Sequence, residues 1–453
     1  MRVLVVCNGF PPSGQWGTEF YSHQLATGLA ARGVQVEALH PDRGGTRPRY
    51  ELTTVERYGI FVHELSNAGD PQKRFVDSYQ NSDVERVFGE LLAERDYDVV
   101  HFTHLLWGLS ARLPEIARAH GVRTVVTITD FGLLCHRGQL VDWQQLECAG
   151  PADDGQCARC VREPGPWDAA TIPLLVKRAG VRGAAALGGL GRVVMAGDIA
   201  DRRRTIAKCA RAVDHWILPT GTVADACDAL DLPADRTSRM TYGLDESTFV
   251  ASTAPRPRRD ALRFTFMSQY MPHKGLATLL EAVRLLSSRL PESVEPWTVE
   301  LYGNGSFARH RRYAEDCVGR GLPRRVVDHG PFEPLSAPEV LESTDVVLVP
   351  SEWRENAPLT VLQARAAGRW VIASDVPGVR EVLEDGRHGS LVPPADARAL
   401  ADAMGAAIRD RVRPAADPAE AYEEHLVRME ALYRLVLERG VAPAEAATAK
   451  AAS

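Results

Sequence analysis

The segment Val349-Pro-Ser-Glu-Trp-Arg-Glu-Asn-Ala-Pro-Leu-Thr-Val-Leu-Gln-Ala-Arg-Ala-Ala-Gly368 contains the signals of a strand that ends and a helix that begins. We expect the strand to end at Pro350, Asn356 to cap the helix and Pro358 to lie in its first turn. A helix N-terminus presents unpaired backbone N–H groups and the positive end of the helix dipole. The N–H groups expected here belong to Ala357, Leu359 and Thr360. The segment therefore predicts an anion site at the carboxyl edge of a sheet.

The same alternation of strand and helix extends in both directions from this segment. Apolar runs without period-two alternation are typical of strands that are covered on both faces, as in parallel sheets. The first half contains Val3–Val6, Val34–Leu39, Val99–Phe102, Thr124–Ile128 and His215–Leu218. The second half contains Phe264–Met267, Val299–Tyr302, Val326–Asp328, Val346–Val349 and Val371–Ala373. The pattern predicts an α/β fold with two Rossmann-like, doubly wound domains, and a first helix over Thr18–Ala31 that ends at Gly33.

A chain of 453 residues is too long for one ordinary domain. We assign residues 1–220 to an N-terminal, acceptor-binding domain and residues 261–440 to a C-terminal domain. Residues 221–260 are assigned to a proline-rich linker region, and the alanine-rich residues 441–453 to a flexible tail. The last helices before the tail are expected to pack back on the N-terminal domain. Residues 135–191, with four cysteines and little periodicity, are predicted to be an insertion near the cleft, since they follow a strand end.

Composition excludes several classes of protein. A net charge of -6 and an isoelectric point near 6.1 argue against a nucleic-acid-binding protein. The most extended run of small residues, Val181–Gly197, is interrupted by Arg182 and Arg192, so we expect no transmembrane segment. Met1–Phe10 has the pattern of a first strand and not of a signal peptide, which predicts a cytoplasmic protein. A homo-oligomer is compatible with this composition.

Two further junctions in the second half favour phosphate binding. Met271-Pro-His-Lys-Gly275 opens a helix directly after a strand, which places Lys274 at the sheet edge, although most single lysines are only solvated. Glu355, just ahead of its helix, is either a ligand for hydroxyl groups or a surface carboxylate. Gly303 and Asn304 follow another strand in a loop that a nucleotide can approach closely, or that is only a tight turn.

On the N-terminal side, polar residues follow three strands. The loop Phe10–Glu19 connects the first strand to its helix. His104 and Asp130 come after two other strands, so both are expected to reach the cleft between the domains.

At this point the sequence resembles glycosyltransferase family 4, whose members are retaining enzymes with the GT-B fold. Their hallmark is Glu, seven residues, then a second Glu; here the first is Glu355, but Gln363 occupies the second position. The resemblance implies that Lys274 and the amides after Asn356 hold the pyrophosphate of a nucleotide-sugar, that Glu355 binds the transferred sugar and that Gln363 binds the ribose. It also implies that Gly17 lets the backbone approach the sugar.

Two other positions depart from the family pattern. Gln269 stands where relatives often carry an Arg, and Thr129 stands where many have a His before the Asp. A neutral amide replaces charge-assisted bonds with ordinary ones. The departures are expected to alter binding of the donor and of the acceptor.

Cys135, Cys148, Cys157 and Cys160 are spaced for a structural zinc site or are four free thiols, and only the last pair has strong ligand spacing. The same Cys-containing stretch, Leu133–Leu140, occurs in some bacterial members of family 4. No cofactor is expected to be required for catalysis.

The sequence therefore predicts a retaining glycosyltransferase that uses a UDP-, GDP-, ADP- or TDP-sugar. The acceptor is expected to be a small specialised metabolite of natural-product type, with polysaccharide or cell-envelope assembly as the alternative. Two other interpretations stay open: an epimerase or phosphorylase of the same fold, and a catalytically silent subunit that binds sugar nucleotides.

Overall fold

The computed structural model describes most of the chain. The described residues are 1–14, 16–67, 74–151, 153–163, 194–249, 261–290, 296–305, 308–319, 321–411, 414, 416–417 and 421–439. Residues 164–191 of the predicted insertion, residues 250–260 of the predicted linker and the predicted tail 441–453 lie outside this set.

Within the described residues, the first sheet contains eight strands. They are β1 Arg2–Val6, β2 Gln35–Asp42, β3 Leu52–Arg57, β4 Ile60–Ser66, β5 Val99–Phe102, β6 Arg123–Thr127, β7 His215–Leu218 and β8 Thr237–Arg239. Their order across the sheet is β3-β4-β2-β1-β5-β6-β7-β8. All neighbours pair in parallel except β3 and β4, which form an antiparallel hairpin. The order reverses direction between β1 and β5, which makes a crevice at their carboxyl ends.

The second sheet contains six strands in the part of the chain that the structure describes. They are β9 Leu262–Met267, β10 Trp297–Tyr302, β11 Val326–Asp328, β12 Val346–Val349, β13 Trp370–Ser374 and β14 Gly389–Val392. All of the pairs are parallel, in the order β11-β10-β9-β12-β13-β14. This is the order of dinucleotide-binding sheets, and its switch point lies between β9 and β12.

Helices connect the strands in both halves. In the first half they are α1 Gly17–Ala31, α2 Ser82–Glu94, α3 Leu113–Ala119, α4 Asp154–Arg162, α5 Ala196–Ala212 and α6 Gly221–Cys227. In the second they are α7 Leu276–Arg289, α8 Ala308–Val318, α9 Ala337–Glu342, α10 Leu359–Ala366, α11 Pro377–Arg380, α12 Ala397–Asp410 and α13 Tyr422–Glu438. None of the described helices combines the length and the apolar character needed to cross a bilayer.

All ten predicted strands and the first helix are confirmed, with ends that differ by a few residues. Four strands escape the sequence analysis: β3, β4, β8 and β14. The first two form a hairpin around Tyr58 and Gly59, both with positive φ. Strand β3 lies at the sheet edge and is partly exposed, so it lacks a continuous apolar run. Strand β8, Thr-Ser-Arg, contains no apolar residue, and β14, Gly-Ser-Leu-Val, contains only two, so neither has the apolar run of the predicted strands.

The last helix, α13, returns to the first half and packs against α1. One apolar cluster includes Leu25 of α1 and Met429 of α13, both buried. Buried polar groups cross the same contact: the Tyr433 hydroxyl lies 2.6 Å from Nδ1 of His101 on β5. Burial lowers the pKa of His101 to about 3, so its ring stays neutral.

A second contact between the halves involves Glu381, which follows α11. Its carboxylate accepts bonds from the backbone N–H and the hydroxyl of Thr222, at 2.7 and 2.6 Å, and from Arg239 at 2.9 Å. The backbone N–H of Gly221, the first residue of α6, also donates to it. Burial opposes ionisation, but these donors hold the pKa of Glu381 below its usual value. A carboxylate from one half therefore binds the positive end of a helix in the other.

Replacing Gly28 by Ala is expected to weaken the packing of α13 on α1. A Cβ at this position would collide with the Tyr422 hydroxyl and lie 2.8 Å from Cδ1 of Leu426. Overpacking of this kind lowers the free energy of unfolding by about 1–3 kcal/mol. This loss exceeds the stability gained because Ala has a higher helix propensity than Gly. The midpoint of thermal unfolding should fall.

Gly197→Ala in the first turn of α5 is the control, because no atom lies within 4 Å of its Cβ position. Equal unfolding midpoints for the two variants would show that the contact between α1 and α13 does not limit stability.

Candidate functional site

A cleft of about 1020 Å³ lies between the two sheets. Residues that follow β1, β5 and β6 line one side, and residues that follow β9 and β12 line the other. The carboxyl ends of both sheets, at their switch points, therefore face the same space. This is where ligands bind in open α/β sheets.

Lys274 and Glu355 form an ion pair on the second-half side of the cleft. The Lys274 ammonium lies 2.7 Å from Oε1 of Glu355, and the Ser351 hydroxyl donates to the same oxygen at 2.6 Å. The ammonium also lies 5.0 Å from the centre of the Trp353 ring. Glu355 is only 4% exposed, whereas the side chain of Lys274 is 22% exposed. The structure thus brings together the two residues that the sequence analysis places at separate junctions.

Helix α10 begins at Leu359, with Pro358 as its N-cap residue. The expectation that Asn356 caps this helix and that Pro358 lies inside its first turn is therefore wrong. The Asn356 amide instead donates to the carbonyl oxygen of Ile128 and to the Tyr242 hydroxyl, both at 3.1 Å. These bonds reach into the first half, and tertiary partners of this kind compete with local capping.

The start of α10 nevertheless borders the cleft, as do Ala357, Leu359 and Thr360. The N–H groups of Leu359 and Thr360 lie in the first turn, where helix geometry gives them no intrahelical partner. The Thr360 hydroxyl lies 3.3 Å from the carbonyl oxygen of Met267, at the end of β9. The N-terminus of α10 is thus held beside the strand that precedes Lys274.

The N-terminus of α1 approaches from the other side. Gly17 is the first residue of α1, and a Cβ on it would lie 3.1 Å from Cδ1 of Leu359, the first residue of α10. The positive ends of two helix dipoles therefore meet in the cleft next to the Lys274 ammonium. An anion is the ligand that such an arrangement stabilises.

His104 and Asp130 meet at the first-half side. Nε2 of His104 lies 3.0 Å from Oδ2 of Asp130, while the backbone N–H of Leu106 donates to Nδ1 of His104 at 3.0 Å. The carbonyl oxygen of Leu106 also lies 3.2 Å from Nδ1, so the backbone holds the ring on one side and Asp130 holds it on the other. Both nitrogens are occupied, so His104 positions Asp130.

Asp130 is the group of this pair that faces the cleft, with 32% of its side chain exposed. The Trp107 indole donates to Oδ2 at 3.2 Å and the backbone N–H of Gly132 donates to Oδ1 at 2.8 Å. Burial opposes ionisation, but His104 and these donors hold the pKa of Asp130 below its usual range. The carboxylate is therefore charged at neutral pH.

The positions that depart from the family pattern also line the cleft. Gln269 and Thr129 are among its lining residues, and Gln363 lines it while only 7% exposed. The Thr129 hydroxyl donates to the carbonyl oxygen of Thr103 at 2.7 Å, so it is tied to the sheet edge.

Gly303 and Asn304 are not among the described residues that line the cleft. The carbonyl oxygen of Asn304 accepts a bond from the backbone N–H of Tyr270, at 2.9 Å, and Gly303 packs against Ser268. They therefore support the segment that leads to Lys274 and do not line the cleft themselves.

The cysteine-containing segment borders the cleft, as predicted, through Arg137, Gly138 and Gln139. It also contacts the second half, since Glu147 lies 3.1 Å from Arg354. Cys135, Cys148, Cys157 and Cys160 are free and partly exposed. Among the described residues, no group of three or more His, Cys, Asp or Glu side chains is placed to hold a metal ion. The structural zinc therefore stays a prediction.

Several residues that the sequence analysis did not single out also line the cleft, among them Glu19 and Trp107. Glu19 could have been found, because it is the acidic residue in the first turn of a helix that follows the first strand. Trp107 carries no such signal, since its backbone has a positive φ of 57°, which depends on the fold around it.

The sequence matches the descriptions of two protein-family domains. The description "Glycosyl transferase 4-like domain" matches residues 17–243, and "Glycosyl transferases group 1" matches residues 261–410. The chain therefore belongs to glycosyltransferase family 4, and the resemblance seen in the sequence is confirmed.

Curated relatives share this family. A D-inositol 3-phosphate glycosyltransferase of Pseudarthrobacter chlorophenolicus is 27% identical over 88% of this chain and 84% of its own length. A phosphatidyl-myo-inositol mannosyltransferase of Mycolicibacterium smegmatis is 31% identical, over 40% of this chain. The match covers only 44% of that mannosyltransferase.

Solved structures show the same fold. The sucrose-phosphate synthase of Thermosynechococcus elongatus aligns over 97% of this chain and all of its own, with a TM-score of 0.66 and 16% identity. Anabaena HepE in complex with UDP-glucose aligns over 97% of this chain and 99% of its own, with a TM-score of 0.59 and 15% identity. The two-domain GT-B fold predicted from the sequence is confirmed.

Gly275→Ala is expected to destabilise the site beyond the cost of backbone strain. Gly275 has a φ of +74°, and a Cβ on it would overlap the carbonyl oxygen of Pro350, at the end of β12. Ala would therefore push the β9 and β12 junctions apart, in addition to the roughly 1–2 kcal/mol for a left-handed residue. Thermal unfolding of the purified protein measures the effect.

Gly321→Ala supplies the matched control, because its φ is +88° but no atom lies within 4 Å of its Cβ position. The Gly275 variant should unfold at a clearly lower temperature than the Gly321 variant. If the unfolding temperature falls equally in both variants, the contact with Pro350 does not contribute to stability.

Proposed function

We propose that the protein is a retaining glycosyltransferase that moves a sugar from a nucleoside diphosphate sugar to a small metabolite. The observation that carries this proposal is the convergence of the Lys274 ammonium with the N-termini of α1 and α10. A diphosphate is the part of the donor that needs such a site, since it gains charge as its bond to the sugar breaks. Preorganised positive groups stabilise that developing charge in the transition state.

The other site residues have assigned roles in this proposal. Oε1 of Glu355 accepts the bonds from Lys274 and Ser351, which leaves Oε2 for a hydroxyl of the donor sugar. Gln363 binds the ribose through its amide oxygen. Asp130, charged and held by His104, contacts hydroxyls at the acceptor side. The departing phosphate oxygen takes the acceptor proton, and no metal ion is required.

The names of the neighbours support a nucleotide donor. HepE is described with UDP and UDP-glucose, and a starch synthase of Arabidopsis with ADP. The names of the curated relatives refer to inositol compounds, which is compatible with a small polyhydroxylated acceptor or with a cell-envelope lipid.

Nucleotide-sugars should stabilise the protein, and the ammonium of Lys274 should be required for this. A ligand that binds only the native state raises stability by about 2.7 kcal/mol at a hundred times its Kd. We would screen UDP-, GDP-, ADP- and TDP-sugars by thermal shift and then measure release of the nucleoside diphosphate. Lys274→Gln should abolish both the shift and the release, and Gln can still donate a bond to Glu355.

Lys208→Gln, on the exposed face of α5, is the control and should match the wild type. Absence of any stabilising nucleotide-sugar would contradict the proposed donor site. A wild type that binds a donor tightly but never releases the diphosphate, with any acceptor or with water, would instead be a binding subunit.

Gln363→Glu tests whether the amide at this position only weakens binding of the donor. A carboxylate makes charge-assisted bonds to ribose hydroxyls, about twice as strong as those of an amide. We expect a lower KM for the donor and an unchanged kcat. A loss of activity in this variant would show that the pocket is built around the neutral amide.

A further inference from the structure

The carboxylate of Glu19 stands out in the first-half side of the cleft. Its side chain is only 3% exposed, yet it lines the cleft. Its oxygen Oε2 is buried and has no hydrogen-bond partner. A buried acceptor without a donor costs about 1–3 kcal/mol, so a fold retains one only where something compensates for it.

The loop after β1 is shaped around this side chain. A Cβ on Gly9 would lie 3.0 Å from Cγ of Glu19, and a Cβ on Gly14 would lie 2.6 Å from the same atom. Residues with side chains at these two positions would press on the Glu19 side chain. The loop therefore holds the carboxylate in one place, which is typical of a preorganised ligand contact.

The basic residues near Glu19 do not donate a hydrogen bond to Oε2. Arg43 and His104 are near enough to affect its pKa, but the Arg43 guanidinium donates to the backbone oxygen of Asn8 at 2.7 Å and His104 is bonded to Asp130. Burial raises the pKa of Glu19, while backbone N–H groups of Glu19 and Trp16 act in the opposite direction. These backbone N–H groups bond one carboxylate oxygen of Glu19 at the start of α1. The other oxygen, Oε2, has no donor.

Asn8 adds a second acceptor of the same kind. It lines the cleft next to Gly9, and its Oδ1 is also buried without a partner. Each of these two oxygens thus requires a hydrogen-bond donor that the described protein does not supply. A hydroxyl or amino group of a ligand would satisfy them, whereas an ionised phosphate group offers only acceptors.

We propose that Glu19 and Asn8 form the acceptor subsite and select an unphosphorylated polyol or amino sugar over its phosphorylated counterpart. The proposal rests on the transferase function proposed above and adds the chemical class of the acceptor. A site built to bond a hydroxyl discriminates strongly, because a wrong ligand leaves buried groups unpaired.

The test uses the full-length protein with the donor identified by thermal shift. Initial rates of diphosphate release, above the rate of donor hydrolysis, are measured with myo-inositol, glucosamine and other monosaccharides and cyclitols. Each is paired with its monophosphate. We expect transfer to unphosphorylated members, with kcat/KM at least about tenfold above that of their phosphates. The proposal is wrong if the phosphates are preferred, or if no unphosphorylated member accepts sugar.

Glu19→Gln separates recognition from structure. Glutamine has the same length and keeps one oxygen for the backbone N–H groups, but it removes the charge and one acceptor. The KM for the acceptor should rise about tenfold or more, while the KM for the donor and the rate of donor hydrolysis stay unchanged. Asp83→Asn, an exposed acidic residue in the first turn of α2, is the matched control and should change neither.

An unchanged acceptor KM in Glu19→Gln, or an equal rise in the KM for the donor, would overturn the assignment. These outcomes differ from a failure of the transferase function itself. In that case the wild type would bind no nucleotide-sugar at all, and Lys274→Gln would have no effect to remove.

Discussion

The site depends on one geometric constraint: two parallel sheets present their carboxyl ends to the same space. In the second sheet, the strand order places β9 and β12 side by side at the switch point, so the residues that follow them must meet. Lys274 follows the first and Glu355 follows the second, and their side chains lie 2.7 Å apart. A buried carboxylate such as Glu355 needs a charge partner, which ties the conformation of the two junctions together.

The relative placement of the two sheets is the next condition. The docking of α13 on α1, the bonds from Glu381 to the start of α6 and the reach of Asn356 to Ile128 all cross between the halves. They bring the N-terminus of α1 to the N-terminus of α10. Neither helix end would hold a diphosphate as well alone, because the effect of a helix dipole falls off within about one turn.

The two sides of the cleft differ in chemistry. The second-half side combines a cation with a helix terminus, which suits an anionic leaving group. The first-half side presents the carboxylates of Glu19 and Asp130, with Asn8 between the loop and the sheet. Carboxylate and amide oxygens suit hydroxyl groups. This division matches a cleft that binds a nucleotide diphosphate on one wall and hydroxyl groups on the other.

The sequence by itself determined the strand-helix alternation, the family, and which junctions carry Lys274, Glu355, His104 and Asp130. These features are local, because apolar runs, helix starts and strand ends depend on neighbouring residues. Strand β8, which has no apolar residue, and the half-exposed edge strand β3 escaped, since neither contains a continuous apolar run.

Only the tertiary structure decided how those residues act. Asn356 is a strong capping residue by its type, but Ile128 and Tyr242 are better partners, and they lie more than a hundred positions away in the chain. The orientation of His104 follows from its contacts with the Leu106 backbone and with Asp130, and the importance of Glu19 follows from an oxygen that burial leaves without a donor. Hydrogen-bond partners and burial are set by residues distant in sequence, and no local pattern contains them.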